Sequence, residues 1–342
     1  MGKNRKALKK AEDTVVNDAQ AAGQNVLDDA ENGGKKKRDY TKSYFSYTMH
    51  EIWNHKMSYA LIAPFFICFT TFTLLPLIAS AVLSFFYFDS LSWPQFIFWD
   101  NYVYLFVEDS LFLKAFSNTL YYAVIVGPVS YIASYFFAWF INQVPNKLRP
   151  IYTLAFYAPS LCSGIAMGVV WLVMFANDSQ GYINSVLLNA GLITEPIQFL
   201  QNVKWIMPVI IIVALWSSLG AGFLSFVAGF TNVDKELYDA AMVDGITSRF
   251  QRLIYIDIPQ TMPQLLFSAV LTITGSFTVG GLSQTLVGHP SPEDAGLTIM
   301  LHLGDYAGQR FEVGYASAIA VVLSAMVLGI GRLAFKLLQE KG

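Results

Sequence analysis

The sequence predicts an all-α, polytopic membrane protein with six transmembrane helices and with both termini in the cytoplasm. The first observation behind this prediction is composition. Of the 342 residues, 54% are hydrophobic, 15% are aromatic and only 13% are charged. Soluble domains carry about 25% charged residues, so these charges are too few to cover a globular surface of this size. The composition therefore excludes a disordered chain, a nucleic-acid-binding protein and a soluble enzyme.

Six long intervals without a charged side chain are the second observation. A helix that crosses the hydrocarbon core needs about 20 apolar residues, and every interval has room for one. The intervals lie between Lys56 and Asp89, Lys114 and Lys147, Arg149 and Asp178, Lys204 and Asp234, Asp257 and Glu293, and Glu312 and Arg332. The predicted spans are 58–87, 117–142, 151–176, 205–231, 263–287 and 313–335.

The distribution of basic residues predicts the orientation. If the N-terminus is cytoplasmic and the spans alternate, nineteen of the 22 Lys and Arg residues lie on the cytoplasmic side. Only Lys114, Lys204 and Arg310 lie outside. Because Lys and Arg are retained on the cytoplasmic side of membrane proteins, the sequence favours cytoplasmic N- and C-termini.

A polar segment precedes the first span. Residues 1–45 are predicted to be a disordered cytoplasmic leader. The basic run at 35–38 either anchors the leader at anionic lipid headgroups or binds a partner. Residues 46–56 are aromatic and amphipathic, which predicts a helix lying along the inner membrane surface. The leader is too long for a cleavable signal peptide, and the transmembrane domain is predicted to cover 57–340.

The sequence contains no spacing of residues that is typical of a catalytic or metal-binding site. Cys68 and Cys162 stand alone within apolar runs, and the four histidines have no ligand spacing. The sequence therefore predicts neither a metal site nor a catalytic residue. The interiors of the spans also lack charged side chains, whereas ion-coupled carriers place such residues in the bundle. The driving energy is thus expected to come from outside the membrane domain.

The connection between spans four and five, residues 232–262, is long and amphipathic. Asp234 is placed to cap a helix, and Gly245 permits the left-handed turn that ends it. Helical spacing gives one face made of Leu237, Ala240, Ala241 and Asp244. Two interpretations stay open. This helix–turn–helix docks a cytoplasmic partner, or it packs on its own bundle as an ordinary loop.

A short stretch within this connection resembles a known motif. Residues 239–245, DAAMVDG, are similar to the EAA loop of ABC importer permeases, whose pattern is roughly E-A-A-x-x-D-G. Asp239 stands in place of the leading Glu and keeps its charge. Further stretches resemble the carbohydrate-uptake branch of that family, and the similarity covers about 57–335. These stretches are FIFWDNY at 96–102, NTL at 118–120, GYIN at 181–184, GSF at 275–277 and FEVGYASA at 311–318.

The resemblance implies several partners. Such permeases pair with a second six-span permease subunit, dock two ATPase subunits that bind ATP and Mg²⁺, and receive solute from an extracytoplasmic binding protein. They lie in the bacterial plasma membrane. The sequence contains no GxxxxGK[ST] phosphate-binding loop, so the chain is expected to bind no cofactor and to leave ATP hydrolysis to the ATPase partner. The implied ATPase-coupling residues are Glu236, Leu237, Asp239, Ala240, Ala241, Asp244 and Gly245.

The solute site implied by the resemblance lies at mid-membrane between spans three, four and five. Hydroxyl groups and aromatic faces are the side chains that would hold a sugar there. The candidates are Tyr157, Trp171, Trp216, Ser217, Ser218, Ser276, Phe277, Thr278 and Gln284. The same residue types also serve as packing and as helix–helix contacts in membrane bundles, and that alternative stays open for each of them.

The uncharged interiors of the spans favour an uncharged solute, a sugar or an oligosaccharide. A glycerol-phosphate-type solute is the alternative within the same family. A stand-alone secondary carrier would need a coupling charge in the membrane. A membrane-embedded enzyme would need clustered Asp, His or Ser–Lys pairs, and the spans contain neither.

Overall fold

The structure is a computed structural model that describes residues 56–162 and 164–339. The predicted leader, and the predicted interfacial helix apart from Lys56, lie outside the described residues. The chain divides into two units, one ending at Pro76 and the other beginning at Leu77. The described residues of the first unit, 56–76, are helical throughout. The contacts and cavities below all belong to the second unit.

The described part is mainly helical, with one short β-hairpin. The helices are α1 (Lys56–Leu83), α2 (Asp100–Val103), α3 (Ser110–Asn142), α4 (Arg149–Leu161), α5 (Gly164–Met174), α6 (Tyr182–Asn189), α7 (Val203–Trp216), α8 (Ala221–Asn232), α9 (Lys235–Val243), α10 (Arg249–Arg252), α11 (Ile258–Gln260), α12 (Met262–Phe277), α13 (Gly281–Val287), α14 (Ile299–Gly308) and α15 (Val313–Gln339). Strands β1 (Phe86–Tyr87) and β2 (Gln95–Phe96) pair antiparallel. The chain forms π-helical turns at Thr70–Leu74, Tyr104–Glu108 and Leu253–Asp257, and a 3₁₀ turn at Pro292–Asp294.

Four helical segments of the described part are long and apolar enough to cross a membrane. They are α1, α3, the α7–α8 pair and α15, which fall on predicted spans one, two, four and six. The α12–α13 pair, bent by 42°, makes a fifth if it counts as one span. Predicted span three falls on α4 and α5, helices of 13 and 11 residues on either side of residue 163. The helical membrane class is confirmed, while the six spans and their orientation stay predictions.

Helix α3 lies at the centre of the second unit and packs against α7, α8, α12 and α14. Phe223 and Phe226 of α8 are completely buried in its neighbourhood. Helices α8 and α12 approach closely, since a Cβ atom on Gly222 would lie 2.4 Å from Ser268 Oγ. Small residues at such crossings let two helices pack closely. Close packing stabilises helix association in lipid, where no hydrophobic force drives the helices together.

A buried carboxylate joins three helices at one end of the bundle, the Asp109 end, where α3 and α15 begin. Asp109 accepts a hydrogen bond from the Phe112 amide at 2.9 Å, which caps α3. Its Oδ2 atom lies 2.7 Å from His302 Nε2 and accepts from the Tyr315 hydroxyl at 2.6 Å. Burial alone would raise the pKa of Asp109, but the bonds from His302, Tyr315 and the Phe112 amide lower it to about 2. The carboxylate therefore stays ionised and holds α3, α14 and α15 together.

Three asparagines, at positions 101, 118 and 184, stabilise the loops with which they pack. Asn101 Nδ2 donates to the Ser84 carbonyl at 2.9 Å. Asn118 Nδ2 donates to carbonyls of the 294–297 loop, and Asn184 Nδ2 donates to the Ala176 carbonyl at 2.9 Å. Buried backbone carbonyls need such partners, so these asparagines replace the regular bonds that a turn cannot make.

We expect Asp109→Asn to destabilise the folded protein. The substitution removes the charge that two side chains and one amide bind, and losing bonds to a charged acceptor costs about 2–4 kcal/mol. Because the pKa of Asp109 is lowered, its contribution is complete above about pH 4 and declines as the pH falls toward 2. Thermal unfolding in detergent, followed by tryptophan fluorescence, measures the loss.

The control for this prediction is Glu195→Gln, which neutralises an exposed carboxylate. Exposed charges contribute little to stability, so this variant should unfold at the wild-type temperature. Equal unfolding temperatures for Asp109→Asn and the wild type would contradict the role of the buried carboxylate.

Candidate functional site

Two interrupted helices meet inside the bundle. The α7–α8 pair is interrupted at 217–220, and the α12–α13 pair is interrupted at 278–280. Irregular backbone at membrane depth is tolerated only where protein covers it or where it lines a cavity. Residues from both interruptions line one cavity of about 440 Å³. This volume falls within the range of about 300–1,000 Å³ that small-molecule sites occupy.

Helix α3 supplies a further wall of this cavity. Its lining residues Tyr122, Val126, Ser130 and Ser134 are all buried. They recur every four positions, which places them on one face of the helix. None of these four residues is among the candidates predicted from the sequence, although their spacing of four positions was a signal that indicates one helix face.

Most hydroxyl groups of the cavity donate a hydrogen bond to a backbone carbonyl. Ser218 Oγ donates to the Leu215 carbonyl at 2.7 Å, and Ser276 Oγ donates to the Ile273 carbonyl at 2.8 Å. Ser130, Ser217 and Thr278 also donate to carbonyls of their own helices. Since each proton is used within its helix, the oxygen atoms remain available as acceptors.

The cavity is also uncharged. Among the described residues that line it, none is acidic or basic. It therefore suits a ligand that donates hydrogen bonds and carries no charge.

The structure brings together only part of the predicted solute-binding set. Ser217, Ser218, Ser276 and Thr278 line the cavity. The other members lie elsewhere, for reasons of helix geometry that the sequence does not show.

Trp171 and Trp216 lie in edge-to-face contact, with their ring centroids 5.4 Å apart, outside the cavity lining. Phe277 is buried in an apolar cluster with α15 residues, and Gln284 is exposed on α13. Tyr157 lines a different cavity at the opposite end of the bundle from Asp109.

That second cavity has a volume of about 1020 Å³ and lies at the Asp257 end, where α3 and α8 end and α12 begins. Basic side chains from three elements line it: Arg149 of α4, Lys235 of α9, and Arg249 and Arg252 of α10. The guanidinium of Arg149 donates to the Val144 carbonyl at 3.0 Å and to the Asn142 carbonyl at 2.6 Å. Arg149 thereby closes the α3–α4 turn.

The predicted coupling segment forms helix α9 beside this cavity. Asp234 caps the helix by accepting from the Glu236 amide at 3.0 Å. Gly245 follows the helix with a φ of +87°, a left-handed conformation that glycine adopts without strain. The structure thus shows the cap and the turn that the residue pattern predicts.

The predicted coupling residues divide between two environments. Ala241 is buried against Val233 and Ile256. The remaining members are exposed, and these are Glu236, Leu237, Asp239, Ala240, Asp244 and Gly245. The predicted single face is therefore split, because α9 uses Ala241 to pack on its own bundle and leaves the other residues accessible.

No group of three or more His, Cys, Asp or Glu side chains that could hold a metal ion occurs among the described residues. Asp109 and His302 are close, but both are engaged in the buried contact with Tyr315.

The fold is a helical membrane bundle with a cavity between two interrupted helices, and comparison with known proteins identifies its family. Residues 127–341 match the family model described as "Binding-protein-dependent transport system inner membrane component", and the chain belongs to this family. Its members are transport permease subunits, so the expectation that the chain is not an enzyme is confirmed. ATP hydrolysis belongs to a separate ATPase.

Named relatives agree with this assignment. The chain is 33% identical over 280 residues to the probable ABC transporter permease protein YesP of Bacillus subtilis (strain 168), across 81% of this chain and 89% of that protein. It is 30% identical over 286 residues to the arabinooligosaccharides transport system permease protein AraP of the same organism, across 82% and 87%. A bacterial ABC transporter involved in the import of the acidic polysaccharide alginate has the same fold, with a TM-score of 0.71 and 23% identity over 86% of this chain and 99% of that chain.

We expect a cysteine placed in the smaller cavity to react with a water-soluble methanethiosulfonate reagent. In a background with Cys68→Ala and Cys162→Ala, which removes both native cysteines, Ser218→Cys should react about tenfold faster than Val124→Cys. The reacting species is the thiolate, and apolar surroundings suppress it. Val124 is 63% exposed on the outer face of α3, where lipid is expected to surround it. Equal reaction rates would show that water does not reach the cavity.

Proposed function

We propose that this chain is one of two six-span permease subunits of an ATP-driven importer for an uncharged oligosaccharide or sugar. The observation that carries the substrate class is the uncharged, hydroxyl-lined cavity between the two interrupted helices. The relative AraP, named for arabinooligosaccharide transport, supports the same class. An extracytoplasmic binding protein delivers the solute, as the family description implies.

In the proposed arrangement the Asp257 end faces the cytoplasm and the Asp109 end faces the outside of a bacterial plasma membrane. The basic residues around the larger cavity support this orientation, because Lys and Arg are retained on the cytoplasmic side. Helices α4 and α5 together form the third of the six spans. The leader and the interfacial helix keep their predicted places on the cytoplasmic side and the inner lipid surface.

The exposed part of α9 is the proposed docking site for the ATPase subunits, which bind ATP and Mg²⁺. Leu237 and Val243 are exposed apolar residues on this short helix, and they offer apolar contacts to a docking partner. Closure of the ATPase dimer displaces α9, and the bundle alternates between inward-facing and outward-facing forms by rigid-body movement.

The proposal is tested by purifying the chain from its native membrane in a mild detergent and identifying what accompanies it by mass spectrometry. We expect an ATPase, a second six-span permease and an extracytoplasmic binding protein. Recovery of the chain alone would contradict the proposed assembly and would favour a stand-alone carrier.

We expect Gly245→Glu and Asp239→Arg to abolish transport while the protein still inserts in the membrane. Gly245→Glu places a side chain at a left-handed position, which costs about 1–2 kcal/mol, and Asp239→Arg reverses a charge on the docking face. Both variants should reduce the recovered ATPase about tenfold.

The matched control is Gly191→Glu. Gly191 also has positive φ, +68°, and no atom lies within 4 Å of a Cβ built on it, but it lies far from α9 in the loop after α6. Normal transport by Gly245→Glu, or equal loss in Gly191→Glu, would contradict docking at α9.

We expect a neutral oligosaccharide to raise the unfolding temperature of the accompanying binding protein. A ligand at 100 times its Kd stabilises the folded state by about 2.7 kcal/mol, which a thermal shift assay detects. sn-Glycerol 3-phosphate serves as the comparison ligand. Stabilisation by the phosphate compound alone would support the glycerol-phosphate alternative and contradict the sugar assignment.

A further inference from the structure

Four residues form a continuous polar connection from α9 into the bundle. The Tyr238 hydroxyl of α9 donates to Asp257 Oδ1. The Asp257 carbonyl accepts from Thr261 Oγ1 at 2.7 Å, and Thr261 Oγ1 lies 3.1 Å from the Tyr135 hydroxyl of α3. This set, Tyr238, Asp257, Thr261 and Tyr135, is the Tyr238–Tyr135 linkage.

The middle of the linkage is buried. Asp257 is 2% exposed and Thr261 is completely buried. Burial raises the pKa of Asp257, while the bond from Tyr238 and the charge of Arg252 act in the opposite direction. Burial and the neighbouring carboxylate raise the pKa of Tyr238, so the phenol keeps its proton and acts as the donor. A buried acceptor that loses its donor is costly, which makes this contact resistant to separation.

The inner end of the linkage reaches helices that also line the smaller cavity. The Tyr135 ring lies edge-on to Phe226 of α8, with centroids 5.0 Å apart. Ser134, the preceding residue, lines the cavity, and Thr261 directly precedes α12. The linkage thus reaches α3, α8 and α12, the three helices that surround the cavity together with α7 and α13.

Helix α9 has few other attachments. Its buried contacts come from a small cluster of Val233, Ala241 and Ile256 with Tyr238 and Ile246. At its end, Gly245 has open space around it and a left-handed backbone. Glycine has the least restricted backbone of any residue, so a displacement of α9 that was not held by Tyr238 would be absorbed at this turn.

We infer that the Tyr238–Tyr135 linkage transmits displacement of α9 to the helices that line the cavity, with Tyr238 and Asp257 as positioning residues. This inference rests on the proposed function, in which ATPase subunits dock on α9. A connected path through a structure is not by itself evidence of coupling, so the test measures coupling directly.

The experiment uses the complete complex in lipid nanodiscs, with Ser218→Cys in the background lacking native cysteines. The rate of Ser218→Cys modification by a water-soluble methanethiosulfonate reagent is measured with and without a non-hydrolysable ATP analogue and Mg²⁺. In the otherwise unchanged complex, the nucleotide should change this rate about fivefold or more, the usual size of coupling between sites.

In Tyr238→Phe the ATPase subunits should still co-purify and hydrolyse ATP, while the nucleotide should change the modification rate by less than about twofold. Asp257→Asn provides the same test if Tyr238→Phe fails to insert. The double variant should be no worse than the more affected single variant, because residues in one linkage are not additive.

The matched control is Tyr121→Phe, which removes a phenol oxygen from a residue of α3 that is 53% exposed. It should keep the full nucleotide response. A full response in Tyr238→Phe would overturn the inference, and so would loss of the ATPase subunits from that variant, since Tyr238 would then be a docking residue. Absence of ATPase from the otherwise unchanged complex would instead contradict the proposed function.

Discussion

The hydrocarbon core of a lipid bilayer contains almost no water, and this condition shapes the whole bundle. Every backbone N–H and C=O at membrane depth must find a partner within the protein. Helix α3 runs continuously for 33 residues, although Pro128 within it donates no backbone N–H. The α7–α8 and α12–α13 pairs are interrupted, and residues of both interruptions line one cavity. The same constraint that enforces regular helices thus places the irregular, polar backbone where a solute could pass.

The two ends of the bundle are stabilised by different kinds of contact. At the Asp109 end, buried side chains bind to loops and to one another, as in the contact of Asp109 with His302 and Tyr315. At the Asp257 end, one short helix is held by a small apolar cluster and by Tyr238. An element fixed by several buried bonds resists local opening, whereas an element with few attachments, such as α9, moves at lower cost. The proposed ATPase docking site therefore lies on a helix suited to movement.

The charges of the residues that line the two cavities agree with the proposed transport of a solute through the bundle. The smaller cavity has no acidic or basic lining residue among the described part of the chain. The larger cavity has four basic lining residues, and Arg149 among them already binds backbone carbonyls. A charge is costly in the membrane interior but not at the interface, so hydroxyl groups remain as the polar contacts for a solute at mid-membrane.

Local patterns in the sequence were enough to predict the membrane class, the positions of most apolar helices and the start of α9. The predicted span 313–335 falls within α15, and Asp234 caps α9, because hydropathy and capping depend on neighbouring residues. The four residues of α3 that line the smaller cavity, from Tyr122 to Ser134, could also have been predicted from their spacing of four positions. Helix packing, which no local pattern reveals, sets the interruptions of α7–α8 and α12–α13 and brings their hydroxyl groups to the cavity beside α3. It also decided that Asp109 meets His302, 193 positions away, because such contacts depend on how distant helices pack and not on local pattern.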